Sequence, residues 1–192
     1  MSKINDKVVA LQPGDIFFTK GASLLSKCIR FCTRSIGEGR TQVNHVGIVI
    51  DTGTLHTASI IEAVHNVCVH DLYYQYGPPI KDLIAVYRPL NLTKEEIDTV
   101  VATAKKQVGK NYGYIKLVAH FLDWLCFGMY AFRRLVPGDK YPICSWLVAH
   151  SFSSVGKHFG VEPGQAEPDD IWDFITHYWS SKFRNIRPLD KL

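Results

Sequence analysis

Short apolar segments bounded by turn residues constrain the fold of this chain most strongly. The first, in QPGDIFFTK, follows a Pro13-Gly14 turn, and the next, NHVGIVIDTG, closes on another turn. Segments of this length, rich in Ile, Val and Phe and flanked by Gly, Pro or Asn, predict β-strands. ASIIEAVHNVCVHDL predicts one or two further strands, and LIAVYRPL predicts another that ends at Pro89. We expect these strands to form a mostly antiparallel sheet.

Helical patterns become prominent after the strands. Thr93 and Glu96 form a capping box at the start of the strongest one, predicted to run to Val108 and to stop at Gly109. Strands followed by helices predict an α+β fold. The apolar stripe of this helix consists of Ile97, Val100, Val101, Ala104 and Val108. Other helices are predicted at residues 23–35, at 112–135, from Pro142 to about Gly156, and around IWDFITHYW, where Asp169 or Asp170 would be the cap.

The composition excludes several classes of protein. With 192 residues, 46% hydrophobic and 21% charged, the chain has the profile of one soluble globular domain, which we take as residues 1–192. The net charge of +4 is small and the basic residues are scattered, so nucleic acid is not an expected partner. The sequence does not indicate an oligomeric state.

From the sequence we expect neither a targeting signal nor a membrane-spanning segment. The beginning, MSKINDKVVALQPGD, lacks the apolar core of a secretory signal. The apolar segment 114–136 is interrupted by Lys116, His120 and Asp123, so it falls short of a membrane span. We therefore expect a cytoplasmic protein, with delivery by a non-classical route as an option. Association of 114–136 with a membrane is a second, less favoured option.

The five cysteines do not follow the spacing of a disulfide framework or a structural zinc site. Cys28 and Cys32 stand four residues apart on a predicted helix and could ligate a metal, although free cysteines are more often small core residues. We expect neither a metal nor another cofactor. The cysteines are Cys28, Cys32, Cys68, Cys126 and Cys144.

Cys144, in YPICSWLVAHSF, lies near the start of a predicted helix. Proline is common in the first turn of a helix, so Pro142 places Cys144 about two residues into it. The unpaired N–H groups and the dipole at that end favour a thiolate, and the same groups can hold an oxyanion. The alternative is that CSWLVAHSF is an ordinary amphipathic helix with Cys144 in the core, which is the more common setting of such a cysteine.

A nucleophilic thiolate needs a base, and eight histidines are available. His45 begins the strand HVGIVI directly after a polar loop, a position from which its ring can face a cleft while the strand is buried. His65 and His70 lie among polar residues typical of an exposed edge, and His120 and His150 fall within predicted helices. His45 is therefore the candidate base, with a purely structural histidine as the alternative.

Glu62 is the candidate residue for orienting that base. It is the single carboxylate in the apolar run SIIEAV, and a buried carboxylate needs a partner. If its strand pairs antiparallel with that of His45, Glu62 can accept a hydrogen bond from the imidazole. The alternative is a Glu62 that points to solvent from a half-exposed strand.

Five motifs in order carry a resemblance to a known family. The stretches PGDIFF, NHVGIVID, IIEAV, AKKQVGKNYGY and ICSWLVAHSF, from residue 13 to about 155, resemble the permuted branch of the NlpC-type papain-like cysteine peptidases, the YiiX-like group. In this branch the order is Gly-Asp, His, acidic residue, Cys. The resemblance implies a circularly permuted papain-like fold in which a small, barrel-like antiparallel sheet packs against helices and the nucleophile stands at a helix N-terminus.

The resemblance also implies roles for individual residues. It makes Cys144 the nucleophile, His45 the general base and Glu62 the third member of a triad. Asp15, in the Gly-Asp pair, is expected to hold a turn rather than to take part in the chemistry.

Three aromatic residues are candidates for contact with substrate. Tyr112 in GKNYG and Tyr141 stand where the family has aromatic residues near the cleft. Trp146 replaces the acidic residue that usually follows the Cys-Ser pair, and the stretch before YPIC is longer than usual. Both departures bear on substrate choice.

The resulting expectation is a cysteine hydrolase that cleaves an amide bond in a cell-wall peptide or a related small peptide through an acyl-enzyme. Two alternatives stay open. One is a thiol-dependent acyltransferase or lipid (thio)esterase similar to lecithin:retinol acyltransferase, suggested by the apolar segment 114–136. The other is a binding module without catalysis, which would have no need of Cys144, His45 and Glu62 together.

Overall fold

Six antiparallel strands form one sheet in the computed structural model, which describes residues 10–21, 41–76, 83–112 and 142–188. The predicted helix at 23–35 lies outside these residues, as does the predicted helix at 112–135 apart from Tyr112. Cys28, Cys32 and Cys126 lie outside them too. The strands are Ile16–Thr19 (β1), His45–Val49 (β2), Ser59–Ala63 (β3), Val67–Asp71 (β4), Leu83–Pro89 (β5) and Phe183–Pro188 (β6).

The strand order is β4-β3-β2-β1-β5-β6, and every neighbouring pair is antiparallel. The strands predicted from the apolar segments are confirmed as β1 to β5, whereas β6 was not predicted. The expected barrel-like closure is wrong for the described residues, because β4 and β6 are separate edges of an open sheet. Helices cover one face of the sheet, and loops together with the short helix Leu72–Tyr76 cover the other, so both faces are buried without closure.

Burial on both faces explains the unbroken apolar run in β1. Ile16 and Phe18 point into the larger core cluster with the helices, while Phe17 points into a smaller cluster on the opposite face. Each of the three side chains is fully buried. A strand in the middle of a sheet with two covered faces has no solvent-facing position, so it does not alternate between polar and apolar residues.

The described helices are short and lie mainly after β5. The helix Lys94–Lys105 has Thr93 as its N-cap and the predicted capping box with Glu96. It ends before the predicted Val108, whose side chain is 48% exposed and outside the apolar stripe. The helices are Leu72–Tyr76 (α1), Lys94–Lys105 (α2), Cys144–Ser153 (α3) and Pro168–Asp173 (α4), followed by a π-helical turn Phe174–Tyr178 and a 3₁₀ turn Ser180–Lys182.

The cap of α4 differs from the prediction. Glu167, rather than Asp169 or Asp170, is the N-cap, because Pro168 occupies the first helical position. The Asp170 carboxylate instead accepts a hydrogen bond from the Glu167 N–H at 2.9 Å, which is the returning half of a capping box. Within the described residues no helix is both long enough and apolar enough to cross a membrane.

A buried ion pair fixes the turn that leads into β1. Gly14 has φ +86°, a conformation that suits glycine, and the fully buried Asp15 follows it. Asp15 accepts hydrogen bonds from the Gln12 N–H at 2.9 Å and from Arg88 Nε and Nη2 at 2.8 and 2.7 Å. The prediction that Asp15 holds the turn is confirmed, and Arg88 on β5 neutralises it.

Replacing Arg88 tests the weight of this pair. Arg88→Met leaves the Asp15 carboxylate buried without its cation, so we expect the free energy of unfolding to fall by about 3 kcal/mol. Urea denaturation at neutral pH measures the change. Lys105→Met, on the exposed end of α2, is the control and should change it by less than about 0.5 kcal/mol. Equal effects of the two substitutions would contradict the assigned role.

Candidate active site

The start of β2 and the middle of β3 bring His45 and Glu62 together. These neighbouring strands pair antiparallel, with Ile48 opposite Ile61. Nε2 of His45 lies 2.7 Å from Oε2 of Glu62, and the His45 side chain is 13% exposed while that of Glu62 is fully buried. Because carboxylates are costly to bury alone, this contact gives Glu62 the partner that its apolar surroundings require.

Cys144 is the first residue of α3 and completes the cluster. Ile143 is the N-cap in an extended conformation and provides no side-chain cap, so the first-turn N–H groups are not consumed by a capping side chain. The buried Cys144 side chain is hydrogen-bonded to the His45 ring. Its sulfur also accepts hydrogen bonds from the backbone N–H groups of Val46 and Ser145. Since Nε2 of His45 faces Glu62, Nδ1 is the ring nitrogen left for the sulfur.

The electrostatics of the pair favour a thiolate beside an imidazolium. Burial alone raises the pKa of Cys144 and lowers the pKa of His45, because it penalises both charges. The attraction and hydrogen bond between the two groups, added to the backbone N–H groups at the sulfur and to Glu62 at the ring, together outweigh burial. The net pKa of Cys144 is therefore lowered, and the pKa of His45 is raised to about 10.

Tyr76, at the end of α1, is a member of the cluster that the sequence did not indicate. Its hydroxyl donates to Oε2 of Glu62 at 2.5 Å, the same oxygen that faces His45. Burial raises the pKa of Glu62, but the hydrogen bonds from His45 and Tyr76 lower it overall. Burial and the Glu62 charge in turn raise the pKa of Tyr76, so the hydroxyl stays a donor. Nothing in LYYQY distinguishes this tyrosine from its exposed neighbours.

The aromatic ring of Phe17 on β1 packs against both His45 and Tyr76. The Phe17 ring centroid lies 6.4 Å from that of His45 and 5.8 Å from that of Tyr76. The ring occupies the space that a side chain at Gly47 would need, since a Cβ there would lie 2.5 Å from Phe17 ring atoms. Gly47 thus allows the Phe17 ring to pack, tilted, against His45 and Tyr76.

A known protein family matches most of the chain. The family described as permuted papain-like amidases, YaeF/YiiX, C92 family, matches residues 10–170. The chain belongs to this C92 family. It is accordingly an enzyme, a hydrolase of the papain-like cysteine peptidase class, and the resemblance seen in the sequence motifs is confirmed.

A solved structure shares the fold. The chain is similar to the crystal structure of the metalloprotein YiiX from Escherichia coli O157:H7, with 23% identity and a TM-score of 0.53 over 78% of this chain and 69% of that one. At this identity the similarity establishes the fold alone. No curated protein sequence matches the chain. Across the described ranges, His, Cys, Asp and Glu side chains form no group of three that could hold a metal ion.

A second thiol–imidazole contact lies beside Glu62 in this C92 protein. Cys68, directly opposite Glu62 on β4, has its sulfur 2.9 Å from Nε2 of His70. Burial raises the pKa of Cys68, and the negative charge of Glu62 raises it further. The raised pKa of Cys68 therefore favours the protonated thiol, whereas the lowered pKa of Cys144 favours the thiolate, although each has a histidine neighbour.

The three aromatic candidates for substrate contact have different positions. Tyr112 is partly buried, and its N–H donates to the His65 carbonyl beside the edge of β4. Trp146 is 2% exposed and stacks on His150, with ring centroids 4.4 Å apart, so its indole packs in the core. Tyr141 lies outside the described residues. Contact of these side chains with substrate stays a prediction.

Alkylation distinguishes the two cysteines. Because the pKa of Cys144 is lowered and that of Cys68 is raised, iodoacetamide at pH 6 should modify Cys144 at least about tenfold faster. His45→Ala removes the cation beside the sulfur and should slow the modification. Mass spectrometry of the digested protein gives the rate at each cysteine. Equally slow labelling of all five cysteines would contradict the assigned electrostatics.

Tyr76→Phe tests the hydrogen bond to Glu62. Because the folded pKa of Glu62 is lowered, its bonds stabilise the fold above the unfolded pKa of about 4.3 and lose this effect as the pH falls through the lower folded value. We expect Tyr76→Phe to reduce the free energy of unfolding by about 1–2 kcal/mol at pH 7 and by less at pH 3. Denaturation at both pH values measures it, with the exposed Tyr74→Phe as control. A loss that does not depend on pH would indicate a packing role only.

Proposed function

We propose that the chain hydrolyses an amide bond through Cys144, His45 and Glu62, by way of an acyl-enzyme. The observation that carries the proposal is the contact of a helix-terminal thiol with a histidine that is held by a buried carboxylate. Membership of an amidase family supports the reaction class. The triad and the substrate are our proposal.

The first half of the reaction forms the acyl-enzyme. The Cys144 thiolate attacks the carbonyl carbon of the amide, and the carbonyl oxygen takes up the negative charge. Helix geometry leaves the backbone N–H groups of the first turn of α3 without partners inside the helix, so those that do not already bond the sulfur are suited to hold that oxyanion. His45, already an imidazolium, gives its proton to the leaving nitrogen as the C–N bond breaks, so the amine departs neutral.

The second half releases the acid. His45, now neutral, accepts a proton from a water molecule that attacks the thioester carbon. The C–S bond breaks, the carboxylic acid leaves and the thiolate–imidazolium pair is restored. Glu62 stays ionised throughout and keeps the ring in one orientation, with Tyr76 fixing the same oxygen.

We infer that the substrate is a peptide stem of peptidoglycan or a related small peptide, as the family association suggests. The direct test is incubation of the protein with soluble stem peptides and mass spectrometry of the products. The unmodified protein and Cys68→Ser should cleave, whereas Cys144→Ala should not. Cleavage by Cys144→Ala would refute the proposed nucleophile.

The same assay separates the alternative functions. The apolar segment 114–136, on which the acyltransferase or lipid (thio)esterase alternative depends, lies outside the described residues apart from its flank at Tyr112. Phospholipid vesicles offered in place of peptide should remain uncleaved and should form no acyl-protein adduct at Cys144. Acyl transfer from vesicles without peptide cleavage would replace the proposed function. An unchanged phenotype of Cys144→Ser would favour a binding module.

The dependence of kcat/KM on pH follows from the raised pKa of His45. The ring must be protonated to serve as the acid, so activity should persist to high pH and fall near pH 10. The Cys144 thiolate and, after it, Glu62 raise this pKa, and Glu62→Gln keeps the shape but removes the second of these charges. We therefore expect the basic limb to move down by about 1–3 pH units. Glu95→Gln, on the exposed face of α2, should leave the limb in place, and a limb unaffected by Glu62→Gln would contradict the role of Glu62.

A further inference from the structure

A cavity lies at the C-terminal end of α3, at the other end of this helix from Cys144. Its volume is about 290 Å³, close to the lower limit for small-ligand sites, and it is partly open to solvent. Phe152 near the C-terminus of α3 lines it, and the helical rise places Phe152 about 12 Å along the axis from Cys144. This cavity is therefore separate from the proposed catalytic cluster.

Aromatic and aliphatic side chains form the walls of the cavity. The π-helical turn brings Trp179 back onto Phe174. The backbone N–H of Trp179 donates to the Phe174 carbonyl, and the two rings are stacked with their centroids 5.9 Å apart. Phe159 packs edge-on against Phe174 from the other side. Trp179 stays 46% exposed although it lies against this apolar wall. π-Helical turns occur often at functional sites, and here the turn places an exposed indole at a cavity mouth.

The polar side chains of the lining are basic or neutral. Lys157, His158 and Lys182 all contribute, and the described residues that line the cavity include no carboxylate. Lys157 lies 3.8 Å from Glu96, a partly exposed pair of small net energy, whereas Lys182 has no ion pair among those that the described residues form. The carbonyls at the end of α3 accept hydrogen bonds from Val155, Gly156 and Lys157, which offsets the negative end of the helix.

We propose that this cavity binds a small amphiphilic carboxylate, with an apolar body against the aromatic walls and the anionic group at Lys182 and Lys157. An apolar body removes the exposed indole and phenyl surface from water. A single negative charge on the ligand complements Lys157 and Lys182 in a lining whose described residues include no carboxylate. The site is independent of the amide hydrolysis proposed for Cys144.

The test titrates the full chain with octanoate and, in parallel, with octylamine, which has the same chain and the opposite charge. Isothermal titration calorimetry should detect binding of octanoate and much weaker binding of octylamine. Lys182→Glu should weaken octanoate binding about three- to tenfold. Lys105→Glu, which makes the same change of net charge on α2, should leave it unchanged. Trp179→Ala should weaken both the apolar contact and the affinity.

Alkylation of Cys144 locates the binding site. Saturating octanoate should leave the rate of iodoacetamide modification at Cys144 unchanged, because the ligand sits at the other end of α3. Protection of Cys144 by octanoate, equal binding of octylamine, or an affinity that does not respond to Lys182→Glu would each overturn the proposal. Absence of octanoate binding at millimolar concentration would overturn it as well.

Discussion

The contact between Cys144 and His45 is the interaction on which the rest of the proposed chemistry depends. Burial opposes a charge on either group, so neither would ionise in this position alone. Together they form a pair in which each charge stabilises the other, and Glu62 holds the positive member from its far side at 2.7 Å. In the proposed mechanism, the thiolate is therefore formed before substrate arrives, and the proton for the leaving group is already on the neighbouring ring.

The fold serves this pair by holding its members on different rigid elements. The sheet fixes His45 and Glu62 through β2 and β3, while α3 presents the sulfur at its first residue. The Phe17 ring on β1 packs against both His45 and Tyr76. These contacts restrict the ring to the orientation in which one nitrogen faces the carboxylate and the other is left for sulfur. Preorganisation of this kind reduces the reorganisation required during the reaction.

The sequence predicted the features that depend on local chemistry. The strands β1 to β5 and the Thr93 capping box follow from short apolar runs and one side-chain pattern. The late strand β6, in FRNIRP, has a polar composition and owes its structure to pairing with β5, which lies far away in the chain. The role of Tyr76 could not be predicted either, because it depends on the tertiary contact between α1 and Glu62 on β3. The prediction of a barrel-like sheet was wrong because closure requires the two edge strands to pair with each other. The residues of a single strand carry little information about that pairing.

The protonation state of His45 is the decisive test of the proposed thiolate–imidazolium pair. Nitrogen-15 NMR of the imidazole distinguishes a ring with two N–H groups from either neutral tautomer. We expect His45 to carry both protons at pH 8 and to lose one only near pH 10, and we expect Cys144→Ala to lower the pKa of His45 because the thiolate is gone. A neutral His45 at pH 8 that titrates near 6.5 in both proteins would contradict this expectation.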